Sequence, residues 1–246
     1  MNDLIKIKIS DIDQSAWPSF IHDAVADKAH FSLVVESERK LCELCDYLYF
    51  ADNKLQFHSE ELGEMCFDFE DTYSYHQRQK YALTKEPLAK ALAIKGAGEK
   101  RVIWDTTCGT GKDSLLIHYF GAHLTSFERS PAVYLLLKDA LRRYPMDFDL
   151  VFGDASKISN QIRPEVIYYD PMYPAKKKSA LPRKEMRIFK EMVGEDLDSQ
   201  DFLEWALKTA TERVVVKRPL EAGPIKEKPS ATYTGKSTRY DMYKIF

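Results

Sequence analysis

No stretch of the 246 residues approaches the ~18 consecutive apolar positions that a membrane-crossing helix needs. Met1 to Ser10 lacks the apolar core of a secretory signal peptide. Cysteine is scarce, at four residues, so with no export signal the expectation is reduced thiols in a cytoplasm. No internal repeat or low-complexity tract is visible. The six histidines, at 22, 30, 58, 76, 118 and 123, show no metal-ligand spacing. Cys42 and Cys45 do form a C-x-x-C, with His58 and Cys66 downstream. A structural zinc site usually offers two tight ligand pairs, and His58 and Cys66 are not one. The C-x-x-C also sits in helical apolar spacing, so it reads as two thiols on one helix face, and no metal is expected.

What is present is ordinary for a globular chain: 44% hydrophobic and 30% charged residues. The length allows one large domain, or one domain with a small appendage. The formal charge is −2, but its distribution is uneven. Residues 1–75 carry 6 Lys and Arg against 16 Asp and Glu, a net of −10; residues 76–246 carry 30 against 22, a net of +8. Either surface charges cluster by chance, or a basic C-terminal body faces a polyanion.

The first 75 residues read as a small mixed α/β subdomain: a strand at Phe31–Val35, a helix at Ser37–Phe50, a strand at Lys54–His58. Tyr73–Tyr81 reads as a polar, aromatic linker. A helix follows, capped at Thr84, with Pro87 in its first turn and Gly96 at its end. From Arg101 strands and helices alternate, with strands at 102–104, 124–127, 148–152, 166–169, 214–216 and 239–245, and helices at 112–120, 131–143 and 199–211. That alternation predicts a parallel α/β sheet.

Four successive strands end in an acid: Asp105, Glu128, Asp154 and Asp170. An open parallel sheet binds ligands outside the carboxyl ends of its strands, so these four would gather on one rim. Any one of them alone could simply start a turn. The loop after the first strand, Asp105-Thr-Thr-Cys-Gly109-Thr-Gly111-Lys112-Asp113, is not a phosphate-binding P-loop. Thr106 stands where that motif needs its first glycine, and Asp113 where it needs Ser or Thr. A dinucleotide fingerprint fails too, because Ser114 occupies the third glycine position. What remains is D-x-x-x-G-x-G. Its glycines allow close backbone approach, and Asp105 can accept a hydrogen bond from an amine. Glu128 is suited to two ribose hydroxyls, and Asp154 to an exocyclic adenine amine. Cys108, within the loop, reads as a small loop residue.

That set suits a nucleoside with an ammonium-bearing tail and no phosphate, and it resembles the class I S-adenosylmethionine-dependent methyltransferases. Asp170-Pro171-Met172-Tyr173 resembles the D-P-P-Y tetrad of enzymes that methylate exocyclic amines, with Met172 in place of the second proline. DPMYPAKKKSALPRKEMR (Asp170 to Arg187), RVVVKRP (Arg213 to Pro219), RYDMY (Arg239 to Tyr243), HQRQKY (His76 to Tyr81) and AKALAIKG (Ala89 to Gly96) together are similar to one family. It is the bacterial small-subunit (16S) ribosomal RNA guanine-N2 methyltransferase J family. The resemblance spans residues 76–246 and departs from the family at ALTK (Ala82 to Lys85), where a Gly-rich run is usual.

The resemblance implies a Rossmann-like class I methyltransferase domain of seven mostly parallel strands over residues 76–246, preceded by the α/β subdomain of residues 1–75. It implies S-adenosylmethionine as cofactor, held by Lys112 and Asp113, by Glu128 and Arg129, by the Asp154-Ala155-Ser156 turn and by Asp170, beside the glycines Gly109 and Gly111. Asp170, Pro171 and Tyr173 become the catalytic residues. The basic run Lys176, Lys177, Lys178, Arg183, Lys184 and Arg187 follows directly. It could be a solvated face, but its position favours contact with RNA phosphates. His76 could touch RNA or be a solvated linker residue. The expected substrate is a guanosine N2 in small-subunit rRNA, free or in the 30S particle, with no membrane partner. Two rivals stay open: another amino-group methyltransferase, acting on DNA adenine or protein glutamine, and a non-catalytic RNA-binding assembly factor.

Overall fold

The computed structural model describes residues 6–10, 14–27, 32–36, 46–61, 63–96, 100–158, 162–172, 189, 199–225 and 228–246. They form two compact units. The division does not fall at a single point in the chain: the described residues of Met1–Phe69 and of Ser130–Pro145 belong to one unit. Those of Glu70–Arg129, Met146–Pro174 and Glu195–Phe246 belong to the other.

The first unit holds a five-stranded sheet of β1 (Lys6–Ser10), β2 (Ser32–Glu36), β3 (Asp46–Ala51), β4 (Lys54–Ser59) and β5 (Gly63–Met65), in the order β2-β1-β3-β4-β5. Helix α1 (Ser19–Ala26) lies between β1 and β2 in sequence, as a parallel pair requires. The helix expected over Ser37–Phe50 is corrected: Asp46–Ala51 is a strand, and residues 37–45, with Cys42 and Cys45, lie outside the described residues. The reason is a period of two. Leu48 and Phe50 are buried, Tyr47 and Tyr49 lie on the other face, and Asp52-Asn53 turns the chain with both residues left-handed (φ 52° and 59°). Such a two-residue turn matches the twist of a hairpin, here β3 with β4. In the same unit, buried Asp139 accepts from the Leu55 N–H (3.0 Å) and from the Arg143 guanidinium (2.9 Å).

The expected linker Tyr73–Tyr81 is also corrected, because Phe69–Arg78 is a helix, α2. Phe69, Tyr73 and His76 share one face by their spacing. Tyr73 meets Tyr119 edge-on, and His76, 8% exposed, meets Tyr81. Helix α3 (Pro87–Leu92) is shorter than expected. The cap expected at Thr84 and the end expected at Gly96 are corrected: the helix starts after Glu86, whose side chain makes no capping bond, and stops at Ala93, which takes the left-handed conformation.

The second unit is built on a seven-stranded sheet of β6 (Val102–Asp105), β7 (His123–Glu128), β8 (Asp149–Phe152), β9 (Val166–Tyr169), β10 (Arg213–Pro219), β11 (Ala231–Thr234) and β12 (Thr238–Lys244). Helices α4 (Lys112–Tyr119) and α6 (Ser199–Thr209) belong to this unit, while α5 (Pro131–Arg143), between β7 and β8 in sequence, belongs to the first. The order is β11-β12-β10-β9-β6-β7-β8, with β12 antiparallel to both its neighbours. Alternate residues feed two cores. Ile103, Val166, Tyr168, Val215 and Met242 pack with α3 and α4 on one face. Trp104, Ile167, Tyr169, Val214, Val216 and Tyr243 pack with α6 on the other. Burial on both faces explains the nearly all-apolar strands, each large side chain stabilising by about 1.5–3 kcal/mol. The chain order reverses between β6 and β9, so a crevice opens at their carboxyl ends.

Candidate active site

The loop leaving β6 is pinned from below. The Thr106 N–H and hydroxyl both donate to the Tyr168 carbonyl (3.0 and 2.9 Å), and the Cys108 N–H donates to the Phe127 carbonyl (3.0 Å). Gly109 and Gly111 have φ of 58° and 77°, a left-handed backbone that side chains other than glycine's adopt at a cost. Gly111 is the residue before α4, and the Gly111 N–H turns back to the Cys108 carbonyl (2.9 Å), so the loop's amides are spent on holding its own shape.

Asp105 lies beneath this loop and is fully buried. The Thr107 N–H donates to its Oδ1 (3.1 Å) and the Ser114 hydroxyl to its Oδ2 (2.5 Å). Burial, reinforced by the charges of Asp113 and Asp170 and opposed by those two hydrogen bonds, pushes its pKa up to about 7. Cys108 is buried beside Ser114, and burial pushes its thiol well up, as suits a packing residue.

Glu128 ends β7, is 5% exposed, and takes the Gly109 N–H on Oε2 (3.0 Å). Arg129 and Lys112 are exposed. Asp154 caps the single turn Ala155–Lys157, accepting from the Ser156 N–H (2.9 Å) and hydroxyl (2.7 Å) and pairing with Lys157 (3.0 Å). Burial would raise its pKa, but Ser156 and Lys157 outweigh it, and the carboxyl lies below its ordinary value.

Asp170 follows β9, and its N–H donates to the Thr107 hydroxyl (2.7 Å), which fastens it to the glycine loop. Pro171 is buried and Met172 half-buried. Tyr173 and the run Lys176, Lys177, Lys178, Arg183, Lys184 and Arg187 lie outside the described residues. Among the described ones, the structure brings Asp105, Asp113 and Asp170 together at the ends of β6 and β9.

It adds three residues missing from the sequence-derived set. Thr107 is one. Tyr168 donates its hydroxyl to Asp113 Oδ2 (2.5 Å). Lys217, in β10 one residue past its pairing with β9, reaches Asp113 Oδ2 at 2.7 Å and Asp170 Oδ2 at 2.9 Å. A lysine after three valines in a doubly buried strand was the available signal. His76, buried with Nδ1 2.8 Å from the Tyr81 hydroxyl, is a packed residue and not a solvated one.

The strand order, the left-handed glycine loop and the acids on the rim define a class I S-adenosylmethionine-dependent methyltransferase. A negatively charged crevice with glycines for close approach suits a cationic nucleoside cofactor. Residues 27–245 match the family described as "Putative SAM-dependent methyltransferase". A ribosomal RNA small subunit methyltransferase J from Thioalkalivibrio sulfidiphilus is 40% identical over 195 residues, 74% of this chain and 76% of that one. One from Aeromonas salmonicida is 39% identical over 212 residues, 80% and 85% of the two chains. The crystal structure of a SAM-dependent methyltransferase from Neisseria gonorrhoeae superposes with a TM-score of 0.72 at 31% identity, covering 98% of this chain and 96% of that one. The chain belongs to the ribosomal RNA small subunit methyltransferase J family. Among the described residues, no helix is long and apolar enough to cross a membrane.

Proposed function

We propose that the protein methylates the exocyclic N2 of a guanosine in small-subunit rRNA, in the cytoplasm, on free rRNA or the 30S particle. The observation that carries the reading is the bond from the Asp170 N–H to Thr107 (2.7 Å), which sets the amine-accepting carboxylate against the cofactor loop. Bound S-adenosylmethionine supplies an already activated methyl group, so the chain's work is placement. Gly109 and Gly111 admit the cofactor close to the backbone, and Asp105 shapes their loop from below. Glu128 takes the ribose hydroxyls. Lys112, Asp113, Arg129 and the Asp154-Ala155-Ser156 turn complete the cofactor contacts.

Guanine N2 is a weak nucleophile because its lone pair is delocalised into the ring. Asp170 accepts an N–H of that amine and so directs the lone pair. Pro171 stiffens the turn that carries it, and Tyr173 stacks on the extruded base. Lys176, Lys177, Lys178, Arg183, Lys184 and Arg187 hold the RNA backbone.

Transfer of labelled methyl from S-adenosylmethionine to rRNA from a strain lacking the gene tests the proposal. Label in rRNA or 30S particles is expected. Label entering only DNA or protein would favour the rival amino-group methyltransferases, and cofactor binding with no transfer to any of them would favour the assembly factor.

A further inference from the structure

Lys217 has no part in the mechanism above, yet it joins the two sides of the crevice. It stands one residue past the Val216–Tyr169 pair of β10 and β9, which places it beside Asp170. Its ammonium bridges Asp170 Oδ2 (2.9 Å) and Asp113 Oδ2 (2.7 Å), with its side chain only 23% exposed. Burial alone would lower its pKa, but the two carboxylates outweigh that and hold it above the ordinary lysine range. It is therefore a fixed cation and not a base.

A fixed cation beside the site of a sulfonium repels it, so cofactor affinity does not explain the residue. Two acids and one ammonium still sum to −1, which the cofactor's charge complements. What the lysine adds is orientation. A carboxylate turns almost freely about its last torsion. Here a charge-assisted bond holds Oδ2, while Thr107 holds the backbone of the same residue. We infer that Lys217 is a positioning residue that sets the plane of the Asp170 carboxylate for the acceptor amine and ties it to Asp113 on the cofactor side. The inference rests on Asp170 as the amine acceptor.

Lys217→Met keeps the stem and removes the charge. Single-turnover methylation of rRNA should slow by about 30-fold or more, a typical result of misplacing a reacting group. The dissociation constant for S-adenosylmethionine should stay within about threefold, because the lost charge repels the cofactor. Lys217→Arg should recover at least about tenfold of the rate, since it restores a charged donor. The double variant with Asp170→Asn should be no more than about threefold slower than Asp170→Asn alone, because residues that act as a unit are not additive. If Lys217→Met does not fold, Lys217→Gln takes its place with the same expected split.

Cofactor affinity lost in step with rate, or losses that multiply in the double variant, would overturn the inference. Near-normal rates in Lys217→Met with a slow Asp170→Asn would sink it while sparing the role of Asp170. A fast Asp170→Asn would remove that role, and the inference with it.

Discussion

The carboxyl ends of β6 and β9 each present an aspartate, and the two environments differ sharply. Asp105 is fully buried, bonded only to neutral donors, and its pKa rises to about 7. Asp170 is a third exposed and faces the Lys217 ammonium. In sequence they look alike, an acid after a short apolar strand. The difference shows that rim position brings a group to the site, while burial and partner decide its work. Asp105 holds the glycine loop through Thr107 and Ser114, and on the function proposed here Asp170 faces the acceptor.

The largest expected effect follows from that division. Asp170→Ala should lower single-turnover methylation about 100-fold or more, and by far more than it weakens S-adenosylmethionine binding, since the carboxylate's main work is placing the acceptor. Rate and affinity falling together would erase the contrast between the two acids.

Asp105 answers to pH instead. An acid with a folded pKa above its unfolded value favours the folded state most when protonated. Its contribution is therefore present below about pH 4, is lost as pH rises toward about 7, and is constant above that. Asp105→Asn mimics the protonated form. Between pH 4 and 8 the variant should lose about 2–4 kcal/mol less stability than the parent, by denaturant unfolding. Parallel pH profiles would show that Asp105 is not held neutral.

Glu128→Ala should weaken S-adenosylmethionine binding about 10- to 150-fold, the loss of charge-assisted bonds worth roughly 1.5–3 kcal/mol. Calorimetry reads it, and unchanged affinity would remove Glu128 from the cofactor site. The smallest effect belongs to the backbone. Gly111→Ala, at φ 77°, should cost about 1–2 kcal/mol of stability by thermal unfolding.

The second unit was largely legible in the sequence because its signals are local. Short apolar runs ending in acids, separated by helical spacing, fixed β6 to β10 and their helices to within a few residues. Helix Lys112–Tyr119 falls within a residue of its expected bounds, and strand Val166–Tyr169 on them. Sequence pattern and structure part where two periods compete. Leu41, Leu44 and Leu48 fit a helix, but the alternation of Tyr47 to Phe50 and the Asp52-Asn53 turn make a hairpin. Tyr73–Tyr81 is polar by composition, and only its Phe69-Tyr73-His76 stripe reveals α2. Thr107, Tyr168 and Lys217 were not legible, because a site contact is non-local: Lys217 meets partners 47 and 104 positions away.

The role of Asp170 in directing methyl transfer to guanine N2 is decided by nucleoside analysis of small-subunit rRNA. The rRNA should come from cells carrying the gene, lacking it, or carrying Asp170→Ala. N2-methylguanosine is expected at one position in the first, and its loss in the other two. An undiminished N2-methyl group in Asp170→Ala cells, or a gene-dependent methyl on a ring nitrogen or carbon, would contradict it.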